Sequence, residues 1–166
     1  MFSHIEKEKN VKKQWICFFI FLIASAVFVF PQSNAFIDSV LEKKEVSRGD
    51  AFFLALSSAG LVKPEGTVAE AMSYLETNKW DLPRDPAAPV TLGELCYALM
   101  RAHQLNGGVM YAVFPGPRYA AREFEYLGWV RRAPVPSRRV SGEEALQIVG
   151  QVLEFKAPSA GMEAAP

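Results

Sequence analysis

Cysteine and histidine are scarce in this 166-residue chain, with two of each. Cys17 lies inside an apolar stretch near the N-terminus, and beyond it Cys96 is the only thiol. An intramolecular disulfide and a structural zinc site are thereby excluded from the rest of the chain. Cys96 stands among Leu95, Leu99 and Met100, the setting of a small buried hydrophobe. His103 follows it by two helical turns, which leaves no Cys–His pair and makes His103 an amphipathic-edge residue. No glycine-rich loop leads into Lys-Ser/Thr, so Gly107-Gly108 is not a phosphate cradle. Asp50, Glu94 and Glu144 fall at helix starts, and nothing in the spacing of Glu123 and Glu125 favours an acid/base pair. Acid, base and nucleophile do not converge, and the expectation is a non-enzyme without cofactor or metal.

Excess charge of either sign is also missing. Eighteen basic residues balance eighteen acidic ones, and past residue 35 the counts are fourteen and sixteen. No overall field points to nucleic acid or to an anionic membrane. The uncharged run Trp15–Phe30 spans 16 residues, short of the roughly 20 that cross a bilayer. Lys12 and Lys13 precede it, and Pro31-Gln32-Ser33-Asn34-Ala35 follow with small residues suited to cleavage. Residues 1–35 are expected to be a secretory signal, or an uncleaved membrane anchor through residues 15–30. Either way the remainder is exported, to the periplasm or the cell surface.

What the sequence does have is a phrase in triplicate: Val46-Ser47-Arg48-Gly49-Asp50, Val90-Thr91-Leu92-Gly93-Glu94 and Val140-Ser141-Gly142-Glu143-Glu144. A hydroxyl followed three residues later by a carboxylate is a capping box, so each phrase starts a helix. The Val before each cap is placed to pack on Ala51, Leu95 or Ala145. Apolar residues then recur with helical period, through Leu54 and Ala55, Ala98 and Leu99, Ile148 and Val149, to Leu61, Leu105 and Phe155. Helices are expected near residues 47–60, 91–105 and 141–155, each with one apolar stripe, packing together as the core. Gly60 is placed as a C-terminal cap.

Between the caps lies a second similarity. Residues 68–75 and 120–127 both end in Tyr-Leu, reach Trp80 or Trp129, and meet a proline-containing turn, at 81–89 and 131–139. Each unit is thus helix, turn, helix, and the first is truncated to a short helix around Phe36–Lys43. The fold class is all-α: three helix-turn-helix units packed as a bundle over residues 36–155. The Ala/Pro-rich tail 156–166 is expected to be disordered.

The segment Val90-Thr91-Leu92-Gly93-Glu94, running to Met100-Arg101-Ala102-His103-Gln104-Leu105, resembles the core helix of S-layer homology (SLH) domains. That helix opens on a Thr-Arg-Ala-Glu-like phrase and closes on an Arg-Ala-Leu-Gly-Leu-like one. The resemblance spans about residues 46–155. It implies a pseudo-threefold helical bundle that binds cell-wall polysaccharide through the arginine of each opening phrase and the neighbouring groove. Only Arg48 keeps that arginine; Leu92 and Gly142 replace it in the other units.

The last unit carries eight extra residues within Asn106–Arg118. Their centre is apolar (Val109, Met110, Tyr111, Val113, Phe114) between glycine and proline punctuation. The insertion either folds back to cap the bundle, burying Tyr111 and Phe114, or forms a partner surface through Met110, Tyr111 and Phe114. Beside it, Arg118, Arg122, Arg131, Arg132, Arg138 and Arg139 gather with Tyr119 and Trp129. Arginines bond anions bidentately and aromatic faces stack on sugar rings, so with Arg48 these form a candidate groove for an anionic glycan. The alternative is turn charges paired with Glu123, Glu125, Glu143 or Glu144. Two functions follow: noncovalent binding of envelope polysaccharide or peptidoglycan, or an adaptor that binds an envelope protein through residues 106–118.

Overall fold

The computed structural model describes residues 32–130 and 133–157. They form seven helices: α1 (Gln32–Leu41), α2 (Arg48–Ser58), α3 (Val68–Thr77), α4 (Leu92–Ala102), α5 (Val109–Val113), α6 (Pro117–Tyr126) and α7 (Gly142–Lys156). Among the described residues the chain is all-α, with only isolated bridges at Ser47–Pro89 and Thr91–Arg139. None of these helices is long and apolar enough to cross a membrane. The expected signal or anchor, except for its last few residues, and the tail beyond Ala157 lie outside the described residues.

The three hydroxyl caps form as the spacing predicts. Ser47, Thr91 and Ser141 accept from the N–H of Asp50, Glu94 and Glu144 at 3.2, 3.3 and 3.3 Å. The reciprocal half of the box forms only at Thr91, whose N–H donates to Glu94 at 3.0 Å. At the other two caps the acid turns to a cation instead, Asp50 to Lys43 and Glu144 to Arg138. A fourth cap, at Thr67, makes the full box with Glu70.

Helix ends repeat as well. After α2, α3, α4 and α6 the residue following the cap is left-handed, and the next N–H reaches five residues back: Leu61 to Leu56, Trp80 to Leu75, Leu105 to Met100 and Trp129 to Phe124. This is the Schellman closure. It stops α2 and α4 two or three residues earlier than apolar periodicity alone suggests.

Helices α2, α4 and α7 touch one another pairwise, while α3 packs on α2 and α6 on α4. The shared seam fully buries Phe52 and Leu56 from α2, Leu92, Leu95 and Leu99 from α4, and Ile148 and Val152 from α7. Val46, Val90 and Val140, the residues before the caps, are buried completely. Phe155 departs from the expected stripe: it is mostly exposed, resting edge-on against Trp129.

The helix starts are stitched to one another with a constant offset. Arg48 and Gly49 donate to the carbonyls of Ala88 and Pro86, three and five residues before the Thr91 cap. Leu92 and Gly93 donate to Arg138 and Pro136, three and five residues before the Ser141 cap. Gly142 closes the circuit by donating to Lys43 at 2.8 Å. A Cβ on Gly142 would lie 1.7 Å from the Val40 carbonyl oxygen, and one on Gly93 would lie 2.9 Å from that of Pro117. Neighbouring backbone therefore crosses the helix starts where only hydrogen fits.

Candidate functional site

The arginines singled out by the sequence divide by circumstance rather than lining one groove. Arg48 is the cap-plus-one residue of α2 and reaches across to Glu94 in α4, Nε to Oε2 at 3.1 Å and Nη2 to Oε1 at 2.9 Å. The contact with Glu94 raises the guanidinium's pKa despite burial. Arg138 makes the same two-pronged contact with Glu144, Nη1 to Oε2 at 2.6 Å, and its Nε donates to the Ala133 carbonyl. With Lys43 on Asp50 at 2.6 Å, every acid at the third position of a core helix is neutralised. Arg48 and Arg138 are therefore structural ties, and their forks are filled.

Arg139 is exposed and donates to the Pro89 carbonyl at 2.7 Å. Arg118 and Arg122, one turn apart on α6, are exposed. Arg131 and Arg132 lie outside the described residues. Trp129 is not a sugar platform: it is buried between Phe124 and Phe155 at centroid distances of 5.0 and 5.3 Å. Tyr119 is half-buried and stacks on Phe114 at 6.3 Å.

The insertion splits the two readings made of it. Tyr111 is buried against Tyr97, as a cap requires, which removes it from any partner surface. Phe114 is 59% exposed and Met110 half exposed, so the cap does not bury Phe114. The cause is the short helix α5, which points one ring inward and sets its other apolar side chains outward.

A different group of side chains converges. A cleft of about 450 Å³ lies at the C-terminal end of α4, lined in part by Tyr74, Trp80, Arg101, Gln104, Asn106 and Tyr111. Arg101 sets its guanidinium carbon 5.4 Å above the Trp80 ring, and Tyr74 meets that ring edge-on at 6.0 Å. Burial and the neighbouring Tyr97 push the Tyr111 hydroxyl up to about 12, so it stays a neutral donor and acceptor. On the far side of Trp80 a second, more apolar cleft of about 420 Å³ runs past Met72, Leu82 and Pro86. No carboxylate, thiol or imidazole lines the first cleft. Trp80 is buried beneath the Arg101 guanidinium, so what the cleft presents is that cation, the side-chain amides of Gln104 and Asn106 and the partly exposed Tyr74 ring, which is chemistry for recognition.

Backbone strain marks the same place. Of the four Schellman closures, those after α2 and α6 use Gly60 and Gly128, with φ of 71° and 73°. Those after α3 and α4 use Lys79 and Gln104, both at φ 52°. A side chain in that conformation costs on the order of 1 kcal/mol relative to glycine. Lys79 immediately precedes Trp80, and Gln104 lines the cleft. Sequence reasoning missed this site. The available signal was Gln104-Leu105 standing where the first unit has Gly60-Leu61.

At the C-terminal end of the core, His103 is buried, not an edge residue. Its Nε2 lies 3.0 Å from Ser58 Oγ, which is also 3.0 Å from the Ala55 carbonyl, so the hydroxyl links the ring to α2. Lys156 donates to the His103 carbonyl at 3.0 Å. Residues of α2 and α7 thus meet at the cap of α4. Cys96 is fully buried, and burial pushes its thiol well above the ordinary value. No group of three or more His, Cys, Asp or Glu side chains suited to a metal occurs among the described residues.

Compared with protein-family models, curated proteins and solved structures, the chain matches none.

Proposed function

We propose that this chain is an exported envelope module of three SLH-like units. It holds envelope polysaccharide or peptidoglycan noncovalently in the cleft beside Trp80 and Arg101. The observation that carries this reading is the cleft's composition: a cation resting on an indole, flanked by Gln104, Asn106 and Tyr111. Trp80 is itself buried and holds the guanidinium from beneath; a sugar would lay an apolar face on the partly exposed Tyr74 ring and offer hydroxyls to the amides of Gln104 and Asn106, and an acidic substituent would pair with the guanidinium. The repeated caps, the repeated Schellman closures and the stitched helix starts support the three-unit reading. The strained Gln104 supports a role for its side chain, because glycine serves the fold better there.

Retention of the full-length protein on isolated wall polymer tests the proposal. Arg101→Ala, at an exposed position, is expected to weaken retention roughly tenfold, with greater sensitivity to salt in the parent than in the variant. Unchanged retention in that variant, with loss on joint replacement of Arg118 and Arg122 by Ala, would transfer the site to α6 and overturn the reading.

A further inference from the structure

Val109, Met110, Val113 and Phe114 share one face of α5 and its cap, and all four are exposed, Val109 by 78%. Tyr111 faces the other way and anchors the helix on Tyr97. The fold thus fixes α5 by one ring and leaves its apolar side in water. The Phe114–Tyr119 stack carries that face across to α6, where Arg118 and Arg122 flank Tyr119. Neither arginine is in an ion pair among the described residues. Glu123 is turned back toward Gly108 at the start of α5, and Glu125 is the other acid on α6. Tyr126, one turn beyond Arg122, is 87% exposed.

We propose that this face rests on an anionic lipid bilayer, with the side chains of α5 in the acyl boundary and Arg118 and Arg122 at the headgroup phosphates. Two features select a bilayer over a second copy or a protein partner. A bilayer requires no complementary shape, only apolar side chains reaching a shallow depth beside cations. An arginine fork bonds phosphate oxygens bidentately, and a tyrosine such as Tyr126 favours the headgroup level. The face is separate from the Trp80–Arg101 pair, so the proposal does not rest on glycan binding.

The test uses the full-length chain in phosphatidylcholine vesicles with and without about one-third phosphatidylglycerol. An environment-sensitive fluorophore is placed by Val113→Cys in a Cys17→Ser background; buried Cys96 is left in place. A blue shift with protection from an aqueous quencher is expected in the anionic vesicles. Joint Arg118→Gln and Arg122→Gln should weaken the response by about twenty-fivefold, near fivefold for each arginine. A label that stays quenched in both vesicle types overturns the proposal. So does a shift without lipid that grows with protein concentration, which would indicate a second copy, or one that requires an added envelope protein. Retention of Arg101→Ala on wall polymer, read separately, reports the cleft alone.

Discussion

Arg48 and Glu94 stand 46 residues apart in sequence and meet in a two-pronged ion pair, with side chains 16% and 10% exposed. Glu94 also accepts from the Thr91 N–H, so one carboxylate both caps its own helix and ties it to the first unit. Removing the cation would leave a nearly buried charge with only a neutral donor. Arg48→Gln is expected to cost about 3 kcal/mol, and Arg48→Lys, which keeps the charge but loses a prong, less. Urea unfolding measures both. A parental midpoint in Arg48→Gln would mean that the pair holds nothing together and would return Arg48 to the list of free ligand groups.

Two glycines of α7 make a paired prediction. Gly142 sits under the Val40 carbonyl, with no room for a methyl, whereas Gly150 has nothing within 4 Å of where its Cβ would go. Gly142→Ala should displace α1 from the start of α7 and lower stability by a few kcal/mol, in the manner of overpacking. Gly150→Ala, within the same helix, should raise stability by about 1 kcal/mol through helix propensity. Thermal unfolding of both variants decides it, and equal effects would show that α1 does not dock as described.

The contrast between these sites explains what the sequence could reveal. Ser47, Thr91 and Ser141 announce their helices because a cap is local, needing only a hydroxyl and an acid three residues on. The three-helix core followed from the apolar period for the same reason. Arg48–Glu94 could not be read that way: the partner is supplied by the fold, and Arg48 looked like a free ligand group. α5 was invisible as a helix because five residues between glycine and proline carry too short a period. That brevity left both fates of Tyr111 and Phe114 open, and the structure gives one to each. The cleft draws on residues from 61 to 115, and the only local trace of it is a glutamine where a helix end favours glycine.

His103 predicts a pH dependence. Burial, and then the Lys156 ammonium, hold the imidazole below its ordinary value of 6.5. As pH falls through that value the unfolded chain takes up a proton before the folded one does, so the folded state loses stability. The loss grows until the native pKa is passed and then levels off. Lys156, on α7, is the cation whose charge opposes protonation. His103→Gln, which keeps a hydrogen-bonding partner for Ser58, should flatten the stability profile below about pH 6.5. Parallel profiles for parent and variant would mean that the imidazole is as easily protonated in the fold as outside it.

Gln104 offers the sharpest separation of stability from binding. Its φ of 52° is the conformation that Gly60 and Gly128 adopt at the equivalent closures without a Cβ. Gln104→Gly removes the conflict between Cβ and backbone, offset in part by the greater freedom of glycine in the unfolded chain, for a net gain of up to about 1 kcal/mol. If the amide serves the cleft, the same change should weaken retention on wall polymer severalfold while the melting temperature rises. Lys79→Gly is the internal comparison, since Lys79 has the same φ but is not among the residues lining the cleft. It should gain stability and leave retention unchanged. A gain in both variants with full retention would reduce Gln104 to an ordinary helix end and leave Arg101 and Trp80 as the residues that define the site.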